Sequence, residues 1–394
     1  LKTARNALAP RYELDERARL SFVRDLRRYV LDELARGLRG DYHAHVEPKL
    51  ASRRTPTPQA IHGAMRSRDS FRFYSALRTT SQDMLYQYNR AAIERDRERL
   101  RVTAARLDAR HRHTGSLRLR SDLIVPRSVS AIDIHLMPGS YHTEYEKDDL
   151  TMGAVYENRL ASSTFGLFGP NLDDIGRSIA TFVSMRNPPL RPRAILDLGC
   201  TVGHNTGPWK EVYPQAAVYG IDVAAPCLRY ARARALSQRR AIHFAQMDAR
   251  KLDFPDASFD IVFSSMFLHE VPARDIPKVL GEAHRILRPG GLMLHMELPP
   301  QNQLSPWDSF YLDWDGHFNN EPFYRGFRAM NLRRIVVAAG FNESNYEQHV
   351  VPSLHALGPG AWRAALRSHR TVDGETGRLA TGVRWFCFGA SKSQ

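Results

Sequence analysis

Apolar and polar residues follow two rhythms along this chain, and the change falls near residue 190. Before it, apolar residues recur at helical spacing. Residues 13–38 place Leu20, Val23, Leu26, Val30, Leu31 and Leu34 three or four apart among arginines and acids. That pattern predicts an amphipathic helix stopped by Gly37 and Gly40. After a loop at Thr55-Pro56-Thr57-Pro58, further helices are predicted over 59–77 and 81–112. Leu123-Ile124-Val125 and Ile132-Asp133-Ile134-His135 read as short extended pieces, and Pro138-Gly139-Ser140 as a turn. Two helices are predicted within 150–186, broken at Gly166–Pro170, with Asn171 as N-cap of the second. Beyond Arg193, strands at 194–197, 217–221, 242–244, 259–264 and 292–297 alternate with helices at about 204–213, 226–237 and 275–287. Such alternation predicts an α/β fold with a parallel sheet covered on both faces. Tyr346–Val351 and Val383–Phe388 suit an antiparallel pair, and the stretch between them holds a helix at Ala361–Ser368 and a Gly-rich turn.

Residues 195–205 read Ile-Leu-Asp-Leu-Gly-Cys-Thr-Val-Gly-His-Asn. A strand ends at Asp197, and glycines in the following loop allow positive φ and close approach of a ligand. The next strand ends at Asp222, 19 positions after Gly203. An acid there is placed to accept hydrogen bonds from both ribose hydroxyls of a nucleoside. The dinucleotide fingerprint G-x-G-x-x-G is absent. An acid at 197 would repel a pyrophosphate but suits the ammonium group of an amino acid.

Asp197-x-Gly199-x-Thr201-x-Gly203 resembles the first motif of class I S-adenosylmethionine (SAM) dependent methyltransferases, D-x-G-x-G-x-G, with Thr201 replacing the middle glycine. Gln246-Met247-Asp248-Ala249, the run Phe259–Ser265 and the turn Leu287-Arg288-Pro289-Gly290-Gly291 follow in the family's order. The resemblance is closest to small-molecule methyltransferases of the ubiquinone-biosynthesis type (type 11) and covers roughly residues 150–394. It implies a Rossmann-like, seven-stranded, mostly parallel sheet with an antiparallel last strand. Residues 1–150 would be a helical N-terminal extension, a cap or homodimer contact, and 151–394 the SAM-binding domain with a lid insertion at about 299–327. The implied cofactor is SAM. Asp197, Gly199, Thr201 and Gly203 would hold its amino-acid end, Asp222 and Val223 its ribose, and Met247, Asp248 and Ala249 its adenine, with Ser265 also at the cofactor.

Methyl transfer asks a protein chiefly to align the reactants and exclude water, with a base where the nucleophile carries a proton. Ligands of open α/β sheets bind beyond the strand C-termini, so the loop Ser264–Glu270 faces the reaction. His269 is the candidate base, since imidazole titrates near neutrality. Its competing role is a structural partner at a helix start, and Glu270 is a weaker candidate to orient it. Tyr141, Tyr145 and Tyr156 are candidate contacts to the methionine end. Residues 304–327 are dense in aromatics, which fits a lid over the site or a helix packing on the N-terminal helices. Tyr311 and His317 are its candidate functional residues.

Charge is uneven. Residues 1–130 carry 28 Lys/Arg against 15 Asp/Glu, and the remainder 28 against 27. Arginine dominates throughout and charges alternate in sign, as in Glu94-Arg95-Asp96-Arg97-Glu98-Arg99, which reads as a solvated helix face. Nucleic-acid binding is therefore not expected, and the resemblance implies a small-molecule partner. No apolar run approaches the roughly 20 residues of a membrane helix. Three scattered cysteines and the pair His111 and His113 make neither a disulfide framework nor a metal site. A cytoplasmic setting is expected. Two rivals remain: an enzyme cleaving SAM to methylthioadenosine with help from Ser264 and Ser265, and a non-catalytic SAM-binding interaction protein.

Overall fold

Helical periodicity becomes helix over most of the first third of the chain. α1 (Leu14–Tyr29) runs through a widened π turn into α2 (Ala35–His45). There follow α3 (Glu47–Ala51), α4 (Pro58–Met65), α5 (Asp69–Arg95) and α6 (Arg97–Arg110). The computed structural model describes residues 6–51, 56–187, 190–367 and 384–394. Gly37 and Gly40 do not stop the helix, contrary to the expectation. Each costs about 1 kcal/mol relative to alanine, and burial of Leu38 and Tyr42 beside them offsets it. Arg68, extended at φ −86° and ψ 133°, breaks the predicted 59–77 helix, and α5 then runs on through 78–80. Residues 123–125 have no regular structure, and Ile134–Leu136 is a 3-10 turn rather than an extended piece. Both His135 and Leu136 sit there at φ 60°. Asp173, not Asn171, is the N-cap of the helix leading into the sheet.

The sheet begins with β1 (Ser116–Arg118), followed by α7 (Arg127–Ser130), α8 (Thr151–Ser163) and α9 (Asp174–Arg186). The alternating part comprises β2 (Ala194–Leu198), α10 (Gly207–Val212), β3 (Ala217–Asp222), α11 (Ala225–Ser237), β4 (His243–Gln246), β5 (Phe259–Ser265), α12 (Ile276–Ile286) and β6 (Leu287–Glu297). It ends with α13 (Pro306–Phe318), α14 (Tyr324–Arg328), α15 (Leu332–Ala338), β7 (Tyr346–Pro352), α16 (Leu354–Arg367) and β8 (Arg384–Ser391). The order is β1-β4-β3-β2-β5-β6-β8-β7, with β8 antiparallel to both neighbours. All seven expected strands are present. The eighth, β1, adds an edge from the extension, and its three residues are too short to show alternation in the sequence. The predicted helix at 361–368 lies within α16. Ser368, the Gly-rich turn and Val383 lie outside the described residues.

Successive residues of a strand face opposite sides. Ile195, Phe263 and Leu294 bury one face against Ile179, Val183, Trp209 and Trp362. Leu196, Val262 and Met293 bury the other against Ile276, Val279, Leu280 and Val336. A third cluster joins Tyr86, Ile93 and Leu100 of the extension to Met152, Val155 and Tyr230. In a fourth, Trp307, Phe310 and Trp314 of α13 pack on Tyr42, Phe71 and Tyr74, so the aromatic segment is bound to the N-terminal helices. Among the described residues, no helix is long and apolar enough to cross a membrane.

Candidate active site

The loop after β2 turns through three left-handed residues, Gly199, Thr201 and Gly203. Gly199 has φ 68°, and a Cβ there would lie 2.3 Å from the Phe267 ring. Thr201 has φ 47°, which for a β-branched residue costs roughly 1–2 kcal/mol. The loop is strapped to the tip of β3. Cys200 N–H donates to the Ile221 carbonyl at 2.9 Å, and Thr201 N–H to Asp222 Oδ2 at 3.0 Å. Burial drives the Cys200 thiol far up, which leaves it an inert core residue.

An open cleft lies at the C-terminal ends of the strands. Gly199, Thr201, Asp222, Val223, Met247, Asp248, Ala249 and Ser265 line it. Asp197 and Gly203 do not. Asp197 is buried and accepts the Thr206 hydroxyl at 2.6 Å, so it braces the loop from below. Burial pushes its carboxyl up to about 7, with Asp222 adding to the effect. Gly203 leaves room for the Phe244 ring, which a Cβ would approach to 2.9 Å.

Asp222 is the acid of this cleft. Burial pushes it up to about 6, against the N–H groups of Ala224 and Thr201, which favour its charge. Oδ1 accepts from Ala224 N–H at 2.9 Å and Oδ2 from Thr201 N–H at 3.0 Å. Each oxygen has a second lone pair, so the carboxylate can still accept two hydroxyl donors. That fits a nucleoside ribose. Asp248 is already engaged by Arg250, whose Nη2 lies 2.6 Å from Oδ2, so an adenine amino group must share it.

The other side of the cleft is lined by Tyr141, Tyr156 and Glu270, with Pro126, Ser128 and Val129. Glu270 Oε1 accepts the Tyr141 hydroxyl at 2.8 Å and lies 3.2 Å from His135 Nε2. His135 Nδ1 lies 2.9 Å from Glu321 Oε1. Burial alone would lower His135, and Glu321 and Glu270 more than reverse it. Glu321 is held down to about 2 despite burial, by His135 and His269.

His269 is placed differently from its expected role as base. It is outside the cleft wall and buried, with Nδ1 2.6 Å from Glu297 Oε2. Burial opposes its charge, and Glu297 pushes it up to about 9, so at neutral pH its imidazolium has no lone pair to accept a proton. Glu297 also accepts the N–H groups of Phe267 and Leu268, which fixes the turn that presents Glu270. Tyr311 faces the extension, its hydroxyl 2.7 Å from that of Tyr74. His317 is exposed on a second cavity with His62, Phe310 and Trp314. Neither lines the cleft, because α13 turns these side chains toward the N-terminal helices. Tyr145 is half-exposed under Arg90. His135 and Glu321 escaped the sequence reading: positions 186 residues apart, one at a strained turn, carry no spacing signal.

Residues 195–291 match the family model described as a methyltransferase domain. A demethylmenaquinone methyltransferase of Thermus thermophilus is 38% identical over 142 residues, covering 36% of this chain and 62% of that protein. A malonyl-[acyl-carrier protein] O-methyltransferase of Coxiella burnetii is 30% identical over 34% of this chain and 43% of that protein. The chain thus spans 43% to 62% of the length of these two relatives. Among solved structures, a Haemonchus contortus phosphoethanolamine N-methyltransferase 2 in complex with S-adenosyl-L-methionine aligns with 20% identity over 58% of this chain and 55% of that one, at a TM-score of 0.40. A putative O-methyltransferase from Nostoc punctiforme aligns over 96% of each chain with 12% identity and a TM-score of 0.45. Residues 195–291 are thus similar to a methyltransferase domain, and they lie in a mostly parallel α/β sheet with a helical N-terminal region.

Proposed function

We propose that this chain is a SAM-dependent methyltransferase acting on a small-molecule acceptor. The observation that carries the reading is Asp222, a half-buried acid in the cleft wall beside Gly199 and Thr201, held by two backbone N–H groups and open to two hydroxyl donors. The substrates in the relatives' names, demethylmenaquinone and malonyl-[acyl-carrier protein], support acceptors outside the nucleic acids.

The bound cofactor supplies an activated methyl group on a sulfonium. Gly199, Thr201 and Ser265 hold its amino-acid end, Asp222 and Val223 its ribose, and Met247, Asp248 and Ala249 its adenine. Asp197 and Gly203 act through the loop they brace. Tyr141, Tyr156 and Glu270 bound the acceptor. Glu270, oriented by Tyr141 and His135, is the group placed to accept the proton of an attacking O–H or N–H. Residues 1–150 and 299–327 work together as the cap over a 151–394 domain. Tyr141 and Val129 of the first line the cleft, and Glu321 of the second anchors His135. Exposed Phe22 and Tyr29 on α1 support self-association through the same helices, which light scattering reads.

Calorimetry with adenosylhomocysteine is the test, followed by mass spectrometry of the spent cofactor against an acceptor panel. One-to-one binding and release of adenosylhomocysteine are expected. No heat from folded protein would overturn SAM binding, and methylthioadenosine as the product would replace methyl transfer with SAM cleavage.

A further inference from the structure

Three arginines that methyl transfer leaves unused converge from three helices: Arg27 of α1, Arg78 of α5 and Arg159 of α8. They retain only 4%, 4% and 8% of their exposure. Arg78 is accounted for, since its Nε donates to Asp315 Oδ1 at 2.7 Å. The other two are not. Nε and Nη1 of Arg27 and Nε of Arg159 are enclosed and bond to nothing. The Arg159 guanidinium lies over the Tyr86 ring, 5.4 Å from its centroid, and the buried Tyr86 hydroxyl is unbonded as well.

Burying a guanidinium without a paired anion is strongly unfavourable, and two neighbours of like charge add repulsion. Burial and then Arg78 and Arg159 drive the proton affinity of Arg27 well down. Asp315 offsets this only in part, and the nearby acids already have partners. Glu270 is engaged by Tyr141 and His135, Glu321 by His135 and Asn319, and Asp315 by Arg78. These donors suit an anion whose oxygens accept several N–H groups at once, the geometry in which arginine holds carboxylate or phosphate. The place is adjacent to the cleft. Arg159 lies one helical turn beyond Tyr156, which lines the wall.

We propose that Arg27 and Arg159, with the Tyr86 hydroxyl, bind the anionic head of the methyl acceptor, a carboxylate or a phosphate, an inference that rests on the methyltransferase reading above. The head docks between α1, α5 and α8, and the rest of the acceptor passes Tyr156 toward Glu270. The site selects acceptors by charge, while the apolar cleft wall tolerates varied bodies.

The test uses the full chain, with and without adenosylhomocysteine, and three probes: hexanoate, hexyl phosphate and the uncharged hexanol. Binding is read by calorimetry and thermal shift. At least one anion binds and raises the melting temperature, and hexanol does not. Arg27→Met and Arg159→Met each weaken that anion about tenfold or more, the loss of one charge-assisted contact, and leave adenosylhomocysteine affinity within twofold. Arg27→Met removes an unpaired buried charge at similar volume, so it melts no lower than the parent. Arg159→Lys keeps the charge but not the fork and also weakens binding, which decides the matter should a methionine variant fail to fold. The better-bound anion names the head group. Failure of both anions to bind, hexanol binding equally well, or undiminished anion affinity in the variants would each overturn the proposal. Anion binding through Arg27 and Arg159 without adenosylhomocysteine binding would remove the methyltransferase reading, and with it the acceptor assignment, while the anion site stood.

Discussion

Protonation of Asp222 is the perturbation that probes the cofactor site most directly. In the free protein burial holds its carboxyl at about 6, against an ordinary 3.8. Between those values the folded chain binds more protons than the unfolded one. The group therefore lowers stability as pH rises through that window, by about 3 kcal/mol in all. A ribose donating two hydroxyl hydrogens to the carboxylate favours the charged form and returns the carboxyl toward its ordinary range. Cofactor binding must then release most of one proton near pH 5 and about half of one at pH 6. If the return is complete, affinity for adenosylhomocysteine is roughly 30-fold weaker at pH 4.5 than at pH 7 and flat above that. Calorimetry in paired buffers of different ionisation enthalpy measures both quantities, with circular dichroism certifying the fold at each pH. Asp222→Asn turns an amide NH₂ toward the N–H of either Thr201 or Ala224 and loses the charge. Its affinity falls roughly 100-fold at pH 7, and its pH dependence disappears. Asp197→Asn, altered outside the cleft wall, keeps the pH dependence. A wild-type affinity flat across the range with no proton released, or a pH slope surviving in Asp222→Asn, refutes the reasoning.

Three further changes test other parts of the site. Glu270→Gln keeps the shape of the acceptor side but cannot take a proton, so kcat falls about 10²-fold or more while adenosylhomocysteine affinity holds; steady-state rates unchanged from wild type would reject it as the base. Thr201→Gly removes a left-handed β-branched residue, and relief of roughly 1–2 kcal/mol less the entropy of glycine stabilises by about 0.5–1 kcal/mol, seen as a higher melting temperature. A lower one would show that the loop is not strained. Glu297→Gln strands the buried His269 cation and destabilises by about 3 kcal/mol in urea titrations. In the parent, the His269 contribution is fully present below the unfolded histidine value, roughly 6.5, and is lost as pH rises through about 9. The variant lacks that slope, and an identical slope in both would disprove the pairing.

By itself the sequence determined what depends on neighbours along the chain. Periodicity located the strands, and the spacing from Gly203 to Asp222 put an acid at the tip of the strand beside the loop, because residues along one strand and one tight turn have few relative positions open to them. Thr201 could be recognised as a departure, but only the backbone showed how it is accommodated, in a left-handed turn strapped to Asp222. The side of the cleft facing the acceptor was a matter for tertiary structure. His269 and Glu270 are adjacent in sequence, yet a single 3-10 turn buries one against Glu297 and leaves the other in the cleft wall. Tyr311 and His317 sit among aromatics suited to a lid, and packing on Tyr74 and its neighbours turned them to the extension instead. His135 with Glu321, and Arg27 with Arg159, meet from distant positions. The charge of each is an ordinary surface property until folding excludes water from around it, so its cost and its use exist only in the assembled chain.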